Sequence, residues 1–366
     1  MPKIAIILGA GPAGLAVARD LLQRTDIQPI LLEPAKEPGD VPATDADPFL
    51  DYLTNLHPRL RQGFGWLRRI RIYLSRFWAW LFPRSEKNLE DYIINRFGRE
   101  LYRHFFKHYA EKVWGVPCHS ILAGWERGTG QADVSNAYDD DITQRIEERG
   151  GKIHHHQCIY AIYAVPHAIC SVHVIDSLTG ELSLYTADYF YSTIPIRDLI
   201  RVVQAPVPEE VRDIADNLMY RDVIKVDVEL SQIAIPQAGT IGDSHLEIIG
   251  DHFYILGEGL TVSRVQLCGY DENRGSARIV MEYCCTRGDE FWRQDNAAIR
   301  RLAMDELEKM GLTTSNDIMA IGVRRLEQAI PVYAGSYDRL NTVKLYIGSF
   351  RNLFLVDRRG MHENIK

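Results

Sequence analysis

The sequence predicts an α/β fold assembled from interleaved segments, and three observations predict it. A short apolar run at residues 3–8 leads directly into Gly9-Ala10-Gly11-Pro12-Ala13-Gly14. A helical pattern from Leu15 to about Arg24 and a second apolar run, Pro29–Leu32, complete a β-α-β unit that ends on Glu33. Beyond it the chain turns helical, returns to strands, passes through a second mixed region and closes on one more apolar run. That order fits two domains threaded through each other.

The run 3–8 is apolar at nearly every position, as a strand buried on both faces of a parallel sheet should be. It leads into a glycine motif rather than a cleavage site, so it is read as a strand and not as a signal peptide. The three glycines of a Gly-x-Gly-x-x-Gly turn serve different ends. Gly9 permits the tight turn, Gly11 lets a diphosphate reach the backbone, and Gly14 allows close helix–strand packing. Pro12 and Ala13 complete the loop at the helix start, where backbone N–H groups hold an anion. Glu33 follows Gly14 at the distance where a carboxylate meets ribose hydroxyls. The unit is therefore read as a Rossmann-type dinucleotide site. Its place at the N-terminus favours FAD over NAD, because flavoproteins of this architecture open with the motif and return to the cofactor at the C-terminal end.

Residues 41–58 read as a loop and 59–113 as helical, interrupted at Pro83. A helix pattern at 139–149 ends on Gly150-Gly151. Strands resume over 152–193 with a turn at Thr179-Gly180, residues 209–219 are helical, and 222–230 alternate like a half-buried strand. Strand-like runs fill 245–286, a helix covers 295–311, and Leu353–Val356 is the closing strand. The expected division is a discontinuous dinucleotide domain (1–40, 139–200 and 340–366), a helical insertion (41–138) and an α+β substrate or partner domain (201–339).

The composition suits a globular chain, with 46% hydrophobic and 25% charged residues, and the formal charge of −7 argues against nucleic-acid binding. No apolar run reaches the length of a membrane span. Six cysteines without metal-like spacing read as reduced thiols, and with them a cytoplasmic setting is expected. His154, His155 and His156 would alternate faces on a strand and could not converge on one ion, so no metal is expected. Between 59 and 84, arginines interleave with aromatics. Trp66, Ile70, Tyr73, Phe77 and Leu81 follow helical spacing, which favours a core-facing stripe or partner contact over a membrane surface.

Several longer stretches carry a family resemblance: G-A-G-P-A-G-L at 9–15, L-E-D-Y-I-I-N-R-F-G-R-E-L-Y at 89–102, Y-A-E-K-V-W-G-V-P-C at 109–118, E-Y-C-C-T-R-G-D-E-F-W at 282–292 and N-L-F-L-V-D-R-R-G-M-H at 352–362. Together they resemble FAD-dependent oxidoreductases related to UDP-galactopyranose mutase and the amine oxidase/protoporphyrinogen oxidase superfamily. The resemblance implies a Rossmann-type FAD domain with a helical insertion and an α+β substrate domain. It also implies that Ile159 and Thr193 border the adenosine, that Asp357, Arg358, Gly360 and Met361 form a C-terminal cofactor motif, and that Tyr109, Lys112 and Trp114 line a substrate cavity. The sequence departs from the family in several places. A glycine-rich ribitol segment is missing after Glu33, relatives run on past the position of Lys366, and a lysine usual before the late proline is Gln328 here. These departures imply an intact adenine half and an eroded flavin-ring half.

The function so implied is an FAD-dependent oxidoreductase acting on an unidentified small molecule, with no residue singled out as catalytic. Two alternatives stay open: a redox-neutral flavin mutase of the UDP-galactopyranose mutase type, and a non-catalytic nucleotide-binding relative serving as subunit or scaffold. A protein partner or homodimer is compatible with either class.

Overall fold

The computed structural model describes residues 3–34, 66–123, 142–234, 239–241, 244–257, 259–271 and 275–356. The chain divides into two compact units, one built from residues 1–46, 129–218 and 335–366, the other from 47–128 and 219–334.

The first unit is organised on a five-stranded sheet whose described pairings are all parallel. Its strands are β1 (Ile4–Leu8), β2 (Gln28–Leu32), β3 (Lys152–His154), β7 (Tyr189–Ser192) and β16 (Leu353–Leu355), in the order β16-β7-β1-β2-β3. Strand β1 is central, and Ala5, Ile6, Ile7 and Leu8 are wholly buried, which accounts for its unbroken apolar sequence. Helix α1 (Pro12–Arg24) and a later helix (Ile142–Glu148) join one core with Ala5, Ile7, Leu31 and Ile153. A four-stranded sheet in the same unit is built from β4 (Gln157–Val165), β5 (Ala168–Asp176), β6 (Leu182–Tyr185) and β8 (Val203–Gln204), in the order β6-β5-β4-β8. Helices at Ile196–Val202, Glu209–Asp216 and Leu340–Gly348 belong to the same unit. The α/β fold expected from the β-α-β start is present.

The second unit carries helix α2 (Trp66–Leu81), helix α3 (Leu89–Phe97), the short helix α4 (Arg99–Leu101), a π-helical segment (Tyr102–Phe106) and helix α5 (Lys107–Trp114). Asn88 caps α3 by accepting the N–H of Asp91 at 2.9 Å. The unit's sheet has seven strands: β9 (Tyr220–Leu230), β10 (Gly239–Ile241), β11 (Ser244–Ile249), β12 (His252–Gly257), β13 (Arg264–Asp271), β14 (Ser276–Cys285) and β15 (Ile318–Pro331). They run in the order β10-β11-β12-β13-β14-β9-β15, antiparallel throughout their described pairings. Alternate residues divide between the faces of this sheet. Ile224, Val226, Val228, Phe253, Val265, Ile279 and Met281 pack with Ile299, Ala303 and Leu307 of the helix Asn296–Lys309. The other positions bring charged groups into the interior.

Several expectations need correction. The stripe Trp66, Ile70, Tyr73, Phe77 and Leu81 does lie on one side of a helix, but all five residues are exposed, so it is not a core stripe. Only His154 of the three histidines sits on a strand; β3 ends there, and His156 takes a left-handed backbone (φ 60). The 14-residue strand β15 fell outside every strand reading, because its pairing with β9 shifts register between Ile318 and Ala320 and again between Leu326 and Ile330, which breaks the alternation. The loop 41–58 and the motif residues Asp357, Arg358, Gly360 and Met361 lie outside the described residues. Among the described residues no helix is long and apolar enough to cross a membrane.

Candidate functional site

The glycine turn is fixed by backbone geometry. Gly9 N–H donates to Leu32 O at 2.9 Å, and its φ of +108° is a conformation that residues with side chains rarely adopt. A Cβ on Gly9 would lie 2.3 Å from Thr193 Oγ1, and one on Gly14 would lie 2.1 Å from the Gly9 carbonyl oxygen. Thr193 in turn donates its hydroxyl to Leu8 O at 2.7 Å. Gly11 is the N-cap of α1 in an ordinary extended conformation (φ −66°), with no side-chain cap, and Pro12 follows at the first helical position. The first-turn N–H groups of a helix have no intrahelical acceptor, so they form an anion-binding end.

Glu33 stands at the C-terminal end of β2, only 5% exposed, and its Oε2 accepts the N–H of Ala10 at 2.6 Å. Its own N–H donates to His154 O, and its carbonyl accepts from Gln157, both at 2.9 Å. The buried Ser192 Oγ has no hydrogen-bond partner among the described residues, one position before Thr193. The structure thus brings Gly9, Ala10, Gly11, Pro12, Ala13, Gly14, Glu33 and Thr193 together. Ile159 lies half-buried on β4, two residues beyond Gln157. A close-approach backbone, a helix N-terminus and a buried carboxylate fit the diphosphate and ribose of a dinucleotide.

Tyr109, Lys112 and Trp114 lie on α5 in the second unit, and all three are engaged in packing. Tyr109 meets Tyr254 edge to face with ring centroids 5.9 Å apart, and Trp114 is buried. Lys112 Nζ donates to Leu260 O at 2.8 Å and Val262 O at 3.3 Å, and burial lowers its pKa to about 8. Gly115 ends the helix in the left-handed region (φ +67), and a Cβ there would lie 2.7 Å from the Arg221 guanidinium. Arg221 itself donates to Thr286 Oγ1. The K-V-W-G segment is therefore a helix terminus docked through its lysine and its glycine.

Sequence reasoning missed a buried charged ladder on the sheet. In register, Arg264 of β13 faces Glu282 of β14, which faces Lys225 of β9. Arg264 Nε and Nη2 reach Glu282 Oε2 at 2.9 and 2.8 Å, and Lys225 Nζ lies 2.7 Å from Oε1. These side chains are only 6–7% exposed. Burial alone would raise the Glu282 pKa, but the Arg264 and Lys225 charges outweigh it and hold the carboxyl down at about 2. His252, on the next strand, is pushed down to about 4 by burial and then by Arg264. Further along, Asp227 takes a two-pronged contact from Arg324 at 2.8 and 2.9 Å. The signal was present in the alternation of 222–230, which puts Lys225 and Asp227 on one face, but its partners lie on other strands.

Gln328 adopts a left-handed backbone (φ 53) at the register break of β15. The buried Asp222 holds it there by accepting the Gln328 N–H at 2.8 Å and the Arg287 N–H at 2.5 Å.

Comparison with known proteins bears on the fold and the family. The family model of flavin containing amine oxidoreductases matches residues 63–351. The glycine turn and Glu33 precede that match and are independent of it. A crystal structure of reduced UDP-galactopyranose mutase superposes with a TM-score of 0.65 at 15% identity, covering 96% of this chain and 87% of that one. Wild-type putrescine oxidase bound to putrescine gives 0.58 at 11% identity, covering 98% and 95%, and an oxidoreductase from Methanosarcina mazei gives 0.55 at 12%, covering 97% and 94%. At these identities the likeness is one of fold. No curated protein matches in sequence.

Proposed function

Because the chain belongs to the flavin-containing amine oxidoreductase family, whose cofactor is FAD, we propose that it is an FAD-dependent oxidoreductase acting on a small molecule. The observation that carries this reading is the turn at the end of β1, where Gly9 and Gly14 let the backbone fold closely into the start of α1, Gly11 caps that helix and Glu33 stands beside it. In the proposal the first-turn N–H groups of α1, at Ala13 and Gly14 after Gly11 and Pro12, hold the diphosphate, Glu33 and Thr193 set the ribose side, and Ile159 borders the adenosine. Flavin, when bound, supplies a two-electron acceptor, and the protein supplies orientation and a dry environment. Substrate recognition is assigned to the second unit, with Tyr109, Lys112 and Trp114 acting as positioning residues that fix α5 rather than as groups on the reacting atoms.

The test separates binding from folding. Gly11 has an ordinary φ, so Gly11→Val should melt like the wild type, yet its side chain would fill the diphosphate position. Calorimetry should then show loss of FAD and ADP binding of at least about a hundredfold. Purified wild-type protein should show flavin absorption that bleaches on anaerobic reduction. A protein without flavin bands and without affinity for FAD would instead support the scaffold reading.

A further inference from the structure

Helix α2 is built the wrong way round for a core helix. Among its described side chains, Ile72, Ser75, Arg76 and Ala79 are half-buried or buried. They form the face toward α4: the Glu100 N–H donates to Ser75 Oγ at 3.2 Å, and a Cβ on Gly98 would lie 2.9 Å from the Arg76 backbone nitrogen. At 3.6 residues per turn, Trp66, Ile70, Tyr73, Leu74, Phe77, Trp78, Trp80 and Leu81 span an arc of about 160° on the opposite side. Every one of them is exposed, Trp66 by 70% and Trp80 by 73%, and the arc continues at the helix end into exposed Phe82. An apolar arc of this size outside the core calls for an occupant.

Charge points to the occupant. From Arg61 to Ser85 the sequence holds no Asp or Glu, while the helix itself contains Arg68, Arg69, Arg71 and Arg76, in a chain whose net charge is −7. Exposed Arg71 flanks the aromatic arc. A second copy placed on this face by a two-fold axis would bring like charges toward each other at the interface. An anionic bilayer offers the complementary charge, and Trp and Tyr favour its headgroup level. The helix is too short and too charged to span; it suits lying in the interface plane.

We propose that α2 is a membrane-docking helix that seats its aromatic arc at the acyl boundary of an anionic bilayer, with exposed Arg71 at the level of the lipid phosphates. The test is co-sedimentation of the full chain with vesicles of phosphatidylcholine alone or mixed with phosphatidylglycerol. Binding to the mixed vesicles should exceed that to the neutral ones at least about tenfold and fade as salt rises. The double variant Phe77→Ser with Trp80→Ser should bind at least about tenfold less while keeping the wild-type melting curve. Arg71→Glu should weaken only the binding to anionic vesicles. Brominated lipid in the mixed vesicles should quench wild-type tryptophan fluorescence, a readout that needs no variant. The proposal is overturned by absence of binding and quenching, by a double variant that binds as well as wild type, or by a lipid-free wild-type dimer that the double variant converts to monomers.

Discussion

The glycine turn of the first unit and the charged ladder of the second both bury polar groups, but they do so with different materials. The turn works through backbone: Gly9, Gly11 and Gly14 have no side chains in the way, and the donors are main-chain N–H groups. The ladder works through side chains, Arg264, Glu282 and Lys225, delivered by three strands. A backbone site tolerates loss of any one neighbouring side chain, but it fails when a Cβ intrudes. A side-chain site accepts changes of backbone neighbours and fails when one charge is removed, because its partners stay buried. Four substitutions break or sharpen that contrast.

The largest effect is expected at Glu282. Glu282→Gln strands the Lys225 and Arg264 charges, and removing one partner of a buried network costs on the order of 3–5 kcal/mol. Denaturant unfolding at neutral pH measures it. The wild type should also carry a pH signature. The Glu282 pKa falls from 4.5 to about 2 on folding, so its stabilisation is complete above pH 4.5 and is lost as pH falls toward 2. That loss amounts to about 3 kcal/mol for a fully buried group. Glu282→Gln should lack it, and an unchanged acid limb in the variant would show that the ladder is not what stabilises this face.

Gly14→Val comes next. Its Cβ would meet the Gly9 carbonyl at 2.1 Å, a backbone clash that no rotamer relieves, at a cost of about 3 kcal/mol or slightly less. The first unit should melt early and lose FAD, in contrast to Gly11→Val, which should lose FAD alone. If both variants melted like the wild type, the turn would be looser than its geometry indicates.

This contrast also explains what was legible in the sequence. A backbone site leaves its spacing in one contiguous string, so Gly9 to Gly14, the strands on either side and Glu33 were readable at once. The ladder depends on register between residues 225, 264 and 282, which no local pattern encodes. The aromatic stripe of α2 shows a different limit. Periodicity placed its residues on one side of a helix, but it could not say whether that side faced the core, because the opposite face packs through Ser75 and Ala79, which look unremarkable in sequence. Strand β15 was hidden for a third reason: two register breaks erase the alternation that would have announced it.

Lys112 gives a smaller and more specific effect. Burial lowers its pKa from 10.5 to about 8, so between those values the unfolded chain holds a proton that the folded chain has released. Stability attributable to Lys112 therefore rises with pH across that window, by about 1.4 kcal/mol per unit at most. Burial raises the Cys118 pKa to about 12 and that of Cys285 likewise, which works in the opposite direction above pH 9. The quantity to follow is therefore the gap between wild type and Lys112→Met. Unfolding curves at pH 8 and pH 9 should show the wild type gaining on the variant. A constant gap would place the Lys112 head group in contact with water.

The smallest effect belongs to Gln328. A left-handed backbone costs a residue with a Cβ on the order of 1 kcal/mol or more, whereas glycine adopts it freely at a modest entropic cost in the unfolded chain. The Asp222 contact goes to the Gln328 N–H, which glycine keeps. Gln328→Gly should therefore stabilise the protein by about 0.5–1 kcal/mol, seen as a small rise in melting temperature. Strain retained where glycine would relieve it is characteristic of positions whose side chain is needed. Turnover, once a substrate is known, should then fall in the more stable variant. A variant that is more stable and turns over as fast as the wild type would make Gln328 a feature of the register break alone.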